Sequence, residues 1–189
     1  KEVAMANKQR TIEHIFAGFG GQGILFIGRA LCHGALLSDI STSFIPSYGP
    51  EMRGGTANCK VVVAEGDVGS PLVENPDVVI AMNRPSLDKF EQTVKPGGKI
   101  IVNSSLIEKK VERDDIDVYY VPCNEIAREV GAAKGVSLVA LGAYVGTEDF
   151  FDVENLEKGI EVMTGEKRKK FLEGNLNAFR AGKAHTAKS

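Results

Sequence analysis

The sequence is poor in the features that mark metal clusters, membrane spans and nucleic-acid binding. Its 189 residues include three cysteines, Cys32, Cys59 and Cys123, which form no C-x-x-C pair and favour neither a disulfide framework nor an iron–sulfur or zinc site. No apolar run reaches the roughly 18 residues that a bilayer-spanning helix needs. The formal net charge of −2 supplies no basic field for nucleic acid or an anionic membrane. We therefore expect a cytoplasmic protein with no metal site and no nucleic-acid or membrane partner.

The size and composition of the chain indicate one domain. Hydrophobic residues make up 43% and charged residues 25%, which is typical of a globular domain with a core of normal size. The sequence contains no internal repeat, low-complexity tract or linker that would divide it. The polar start "KEVAMANKQRT" lacks the apolar segment of a secretory signal. We expect residues 1–11 to be disordered or extraneous to the natural chain, residues 12–184 to form the domain, and residues 185–189 to form a tail.

Strand patterns alternate with helix patterns along most of the chain. Strands are predicted in "IEHIFA", "DISTSFIPSYG", "TANCKVVVAEG", "DVVIAMN", "KIIVNSS" and "IDVYYVPCN". The unbroken apolar strands are typical of a parallel sheet that is buried on both faces. The sequence therefore predicts a doubly wound, mostly parallel α/β domain with helices on both faces. Two further amphipathic helices near the C-terminus are predicted to pack against the sheet or against a partner.

A glycine-rich loop lies between the first predicted strand and the first predicted helix. Its candidate phosphate-binding residues follow the G-x-G-x-x-G pattern, and they are Gly18, Gly20, Gly21, Gln22 and Gly23. A dinucleotide site also needs an acidic residue at the end of the second strand, but Asp39 lies at the start of that strand. We therefore expect no binding of NAD. The glycines serve either a phosphate site of another kind or only a tight turn and close packing.

A second glycine-rich loop precedes the third predicted strand, in "SYGPEMRGGTANCKVVV". It places a carboxylate and a guanidinium among more glycines than a turn requires, and its candidate residues are Ser47, Gly49, Glu51, Arg53, Gly54 and Gly55. Such a loop allows the backbone to approach a ligand or a partner chain closely. The planar guanidinium of Arg53 suits a carboxylate or a phosphate.

The rest of the sequence offers no self-contained catalytic set. His14, His33 and His185 have no cysteine or carboxylate at ligand spacing, and we expect the first two to be structural. Cys123, near a helix start, is either a thiol of lowered pKa or a structural cysteine. We assign no catalytic or metal-binding residue. A domain that has a glycine-rich loop able to approach a phosphate, but no catalytic residues, is typical of a subunit or a binding domain of a larger assembly.

The two loops together resemble a known family. "FAGFGGQGI" and "SYGPEMRGGTANCKVVV", followed in order by "NPDVVIAMNRPSLDKF", "VKPGGKIIVNSS" and "VPCNEIAREVG", resemble the gamma subunit of 2-oxoacid:ferredoxin oxidoreductases over about residues 12–180. The 2-oxoglutarate type (KorC/OorC-like) is the most similar. The pyruvate and indolepyruvate branches stay open, as does a free-standing nucleotide- or coenzyme A-binding domain.

The resemblance implies a role within a complex. Alpha, beta, gamma and sometimes delta subunits decarboxylate a 2-oxoacid on thiamine diphosphate and magnesium, pass electrons through iron–sulfur clusters to ferredoxin, and transfer the acyl group to coenzyme A. The gamma subunit is a Rossmann-like domain that is expected to hold no cofactor of its own and to be inactive alone. We expect Glu51 and Arg53 either to face coenzyme A, the substrate or a partner subunit, or to pair with each other. The isolated chain is expected to form a homodimer or a larger assembly at high concentration.

Overall fold

The computed structural model describes residues 9–47 and 56–187. Within these ranges the chain forms six strands and six α-helices, together with two 3₁₀ segments at Glu91–Thr93 and Glu166–Phe171. The strands are β1 (Thr11–Phe19), β2 (Ser41–Ser47), β3 (Thr56–Ala64), β4 (Val78–Ala81), β5 (Lys99–Asn103) and β6 (Asp117–Val121). The helices are α1 (Ile24–Leu36), α2 (Arg84–Phe90), α3 (Cys123–Glu129), α4 (Val136–Val145), α5 (Val153–Thr164) and α6 (Leu172–Thr186).

The strands form one mixed sheet in the order β2-β3-β1-β4-β5-β6. The pairs β1–β4, β4–β5 and β5–β6 are parallel, whereas β2–β3 and β3–β1 are antiparallel. The predicted α/β class is confirmed. The antiparallel pairing of β2 with β3 follows from chain length. The connection between these two strands is too short for the helical crossover that parallel neighbours need.

Each face of the sheet carries its own hydrophobic core. Successive residues of β1, such as Ile15 and Phe16, point to opposite faces and belong to different clusters. The first face is covered by α1, α3, α4, α5 and α6. The second face is covered by α2 and by the β5–β6 connection, through residues such as Leu87 and Ile107. Helices therefore lie on both faces, as the sequence predicted, with most of them on one side.

Glycines allow two pairs of helices on the first face to pack almost backbone to backbone. A methyl group on Gly142 of α4 would collide with the Phe179 carbonyl oxygen of α6, and one on Gly182 would collide with the Val139 carbonyl oxygen. In the other pair, a methyl group on Gly34 of α1 would lie 2.6 Å from the Leu156 Cα of α5. The C-terminal helices thus pack within the domain, α6 on α4 and α5 on α1.

A buried histidine joins the sheet to α4. His14 of β1 is completely buried, and its Nδ1 lies 3.0 Å from the Val61 carbonyl oxygen. Because a carbonyl can only accept, Nδ1 carries the proton, and Nε2 accepts a hydrogen bond from the Tyr144 hydroxyl over 2.7 Å. Burial lowers the pKa of His14 to about 4, so the ring is neutral at pH 7. The prediction that His14 is structural is confirmed.

Candidate functional site

The two glycine-rich motifs come together at one edge of the sheet. The parallel strands β1, β4, β5 and β6 end at this edge, which is where open α/β sheets place their ligands. Phe19, at the end of β1 and the start of the glycine loop, pairs with Thr56 at the start of β3. Ser47, at the end of β2, pairs with Asn58 two residues further along β3. The Thr56 end of the second loop therefore lies beside the glycine loop, and the Ser47 end lies one strand further along the same edge.

The glycine loop forms a tight turn that is closed by a side chain. The Phe19 backbone N–H donates to the Gln22 Oε1 over 2.6 Å, and the Gln22 Nε2 donates to the Met82 carbonyl oxygen over 3.4 Å. Gln22 therefore takes up one of the backbone donors that a phosphate could have used, and it ties the loop to the residue that follows β4. A methyl group on Gly18 would lie 2.7 Å from the Gln22 Oε1, so this glycine makes room for the side chain.

The remaining loop glycines differ in their surroundings. Gly21 has a φ of 86° and Gly23 a φ of 79°, a backbone conformation that glycine adopts without strain. Gly21 has open space where a side chain would project, whereas a methyl group on Gly23 would collide with the Ser137 Oγ. Gly20 is exposed. The loop thus meets the demands of turn and packing, and its crest at Gly20 and Gly21 stays open to a ligand.

The central part of the second loop lies outside the described residues. Gly49, Glu51, Arg53, Gly54 and Gly55 fall in residues 48–55. Ser47 is described, and it is exposed at the end of β2. The hypotheses that concern Glu51 and Arg53 therefore stay predictions.

A row of carboxamides, which sequence analysis did not single out, follows the ends of the parallel strands. Asn83, just after β4, caps α2 by accepting from the Ser86 N–H over 2.8 Å. At the end of β5, the Asn103 Nδ2 donates to the Asn124 Oδ1 over 3.0 Å. The Asn83 Nδ2 and the Ser86 Oγ are buried without a hydrogen-bond partner in the described structure. The missed signal was the recurrence of Asn at the end of an apolar strand or within three residues after it.

A groove of about 790 Å³ opens next to the glycine loop, on the first face. Gly23 and Phe26 of the α1 start form one wall, and residues 130–135, 137 and 138 around the α4 start form another. The Glu166–Phe171 segment and the first turns of α6 complete it. Sequence reasoning missed this groove because its residues come from three distant segments that only the tertiary fold brings together.

The cysteines and histidines do not form a reactive site. Burial raises the pKa of the Cys123 thiol to about 12 and that of Cys32 to about 11, and it also raises the pKa of Cys59. The alternative in which Cys123 has a lowered pKa is therefore wrong. Across residues 9–47 and 56–187, no group of three or more potential ligands is placed to hold a metal ion. No helix in the same ranges is long and apolar enough to span a bilayer.

The fold and this edge define an α/β domain with a glycine-rich strand–helix turn of the dinucleotide-binding type, in which the described end of β2 carries no acidic residue that could hold a ribose. The chain belongs to the pyruvate ferredoxin/flavodoxin oxidoreductase family, whose model matches residues 13–185. The resemblance inferred from the two loops is thereby confirmed at the level of the family.

Named relatives and solved structures add detail. The chain is 39% identical over 167 residues to the ketoisovalerate oxidoreductase subunit VorA of Methanothermobacter thermautotrophicus, covering 88% of this chain but 34% of that protein. It is 33% identical over 171 residues to the 2-oxoglutarate synthase subunit KorC of Methanocaldococcus jannaschii, covering 88% and 89%. The crystal structure of the keto/oxoacid ferredoxin oxidoreductase gamma subunit from Geobacter sulfurreducens superimposes with a TM-score of 0.80 at 27% identity, covering 94% and 99%. The chain thus spans about a third of VorA and most of KorC.

Proposed function

We propose that this chain is the gamma subunit, or the gamma domain, of a 2-oxoacid:ferredoxin oxidoreductase. The observation that carries the proposal is family membership over residues 13–185, with a fold that matches an isolated gamma subunit along nearly its whole length. In the proposed complex, alpha and beta subunits, with or without delta, hold thiamine diphosphate, magnesium and iron–sulfur clusters. This chain holds none of these and acts in the cytoplasm, where its three buried thiols stay reduced.

The carboxyl edge of the sheet is the surface proposed to face coenzyme A and the other subunits. The glycine loop, with its open crest, lies there next to the Thr56 end of the second loop, because Phe19 of β1 pairs with Thr56 of β3. Arg53 and Glu51 are proposed to contact coenzyme A, the 2-oxoacid or a partner chain. When the partners are absent, the same surface is proposed to support a homodimer.

The proposed substrate is a 2-oxoacid, with 2-oxoglutarate as the first candidate. The KorC relative favours it, because this chain covers 89% of that protein's length. Ketoisovalerate is the second candidate, since the identity to VorA reaches 39%. The purified complex, supplied with coenzyme A and an artificial electron acceptor, should reduce the acceptor with one of these acids and far more slowly with the other. A complex that turns over neither acid would contradict both assignments.

Arg53→Ala in the assembled complex distinguishes the three contacts proposed for this residue. Loss of a charge-assisted phosphate contact costs about 1.5–3 kcal/mol, which corresponds to roughly 10- to 150-fold weaker binding of coenzyme A. If Arg53 contacts the substrate carboxylate, the variant should instead weaken binding of the 2-oxoacid and leave binding of coenzyme A unchanged. A contact to a partner would leave both KM values unchanged while the complex dissociates on gel filtration. Unchanged kinetics in an intact complex would remove Arg53 from the site.

A further inference from the structure

The groove on the first face of the sheet has a largely apolar floor. Phe26 and Val130 are partly buried against the core there, and Leu138 is buried. On the opposite wall, the Asn175 Nδ2 donates to the Thr164 Oγ over 3.0 Å, so these two polar side chains are already bonded to each other. A floor of this kind suits an apolar side chain of another protein, because the centre of a protein–protein interface is apolar.

Phe171 lines the groove with much of its ring exposed. It is the last residue of the 3₁₀ segment and is 40% exposed. The Lys134 Nζ lies 5.4 Å and the Lys170 Nζ 5.1 Å from its ring centroid. Aromatic side chains are enriched at the centre of interfaces, where they carry much of the binding energy. Phe171 is therefore a candidate anchor for a partner chain.

The cations around Phe171 form a local excess of positive charge. Lys134, Arg168 and Lys170 line the groove and make no ion pair within the described residues, and the described lining includes one carboxylate, on Glu173. Elsewhere on the described surface, cations such as Arg180 do pair with carboxylates. The chain as a whole has a formal net charge of −2, so the excess is confined to this region. Charge complementarity between interfaces therefore favours an acidic partner.

The segment that carries most of these cations is held weakly by the domain. Glu166–Phe171 is a 3₁₀ helix of six residues, and none of them is buried. Runs of 3₁₀ helix longer than three or four residues are uncommon, because their hydrogen-bond geometry is poorer than that of an α-helix. The segment is therefore able to adjust to a partner without loss of core packing.

We propose that this groove docks an acidic segment of a partner subunit. The segment places an apolar side chain on the floor beside Phe171, and its carboxylates lie against Lys134, Arg168 and Lys170. The inference rests on the proposed function, because it requires the partner subunits, and it adds a second docking surface to the carboxyl edge. The relative VorA favours a partner chain as the occupant: the match covers 34% of that protein, so its domain is joined there to a longer polypeptide.

Photo-crosslinking in the reconstituted complex tests the occupant. Phe171→benzoylphenylalanine places the photoreactive group on the groove, and Val162→benzoylphenylalanine places it on α5, at a residue that is 56% exposed and does not line the groove. We expect the first variant to crosslink to one acidic stretch of a partner subunit, as mapped by mass spectrometry, and the second not to reach that stretch.

Two failures of this experiment are distinguishable. A natural chain that forms no complex on gel filtration would contradict the proposed function, and this inference with it. A complex that forms, but in which the Phe171 position crosslinks to a second copy of this chain or to no partner, would overturn this inference alone.

Matched charge reversals test the complementarity. Lys134→Glu with Lys170→Glu reverses two groove cations, whereas Lys89→Glu with Lys158→Glu reverses two exposed cations away from the groove. We expect the first pair to weaken association with the partner subunits at least roughly tenfold, by an amount that shrinks as salt is added, and the second pair to change it less than about twofold. Lysines in place of the acidic residues of the crosslinked stretch should restore binding of the first variant. Equal losses in two variants whose unfolding curves show them folded would overturn the proposal.

Discussion

Lowering the pH from 7 to 5 should destabilise the folded chain through one residue, His14. Its ring is completely buried, and burial is the largest cause that lowers its pKa from 6.5 to about 4, against smaller raising effects of the Val61 carbonyl and Asp77. Because the folded pKa lies below the unfolded one, the unfolded state binds more protons between about pH 4 and pH 6.5. The contribution of the neutral His14 to the free energy of unfolding is therefore fully present above pH 6.5 and is lost as the pH falls towards 4.

The two pKa values set the size of this effect. Between pH 7 and pH 5 the linkage amounts to about 2 kcal/mol. His14→Gln is the matched control, because an amide can still donate to the Val61 carbonyl and accept from the Tyr144 hydroxyl but does not titrate. Urea unfolding of both proteins at each pH should show a larger loss for the natural chain, with equal m-values. The same loss in both proteins would refute the assignment of the pH dependence to His14.

Three further predictions concern packing and reactivity. Tyr144→Phe should lower the free energy of unfolding by about 1–3 kcal/mol, because it leaves the buried His14 Nε2 without its donor, and urea unfolding at pH 7 measures this. Gly142→Ala should cost more than about 3 kcal/mol or separate α4 from α6, since its methyl group would meet backbone atoms of Phe179; a melting temperature within error of the natural chain would contradict the close approach. Cys32, Cys59 and Cys123 should react with iodoacetamide at pH 8 only after denaturation, as followed by mass spectrometry, because burial raises the pKa of each.

The strands and the two loops were predictable, but the antiparallel pairing of β3 with β2 and β1 was not predicted. Period-two and unbroken apolar stretches mark all six strands of the described chain, because burial of one or both faces imposes those patterns directly. The antiparallel placement of β2 and β3 was open to prediction from chain length, since residues 48–55 are too few for a helical crossover. The second of the two amphipathic helices predicted near the C-terminus, in "EKRKKFLEGNLNAFRAGKA", begins in the structure as the 3₁₀ segment Glu166–Phe171, and nothing in its contacts explains the difference.

The site was only partly predictable because much of it depends on contacts between distant residues. The glycine loop is local, so its sequence indicates its turn. The groove instead joins Gly23, Ser137 and Arg168, and more than a hundred residues of the chain separate Gly23 from the other two. Likewise, the role of Gly142 follows from Phe179 and not from its own neighbours in the chain.

Reconstitution with and without this chain tests the central claim most directly. The partner subunits are purified from the native host after deletion of the segment that encodes this chain, and the full chain is then added back. We predict that it co-elutes with them in fixed stoichiometry and restores 2-oxoacid-dependent, coenzyme A-dependent reduction of ferredoxin. A partner complex that is equally active without the chain, or that does not bind it, would contradict the account.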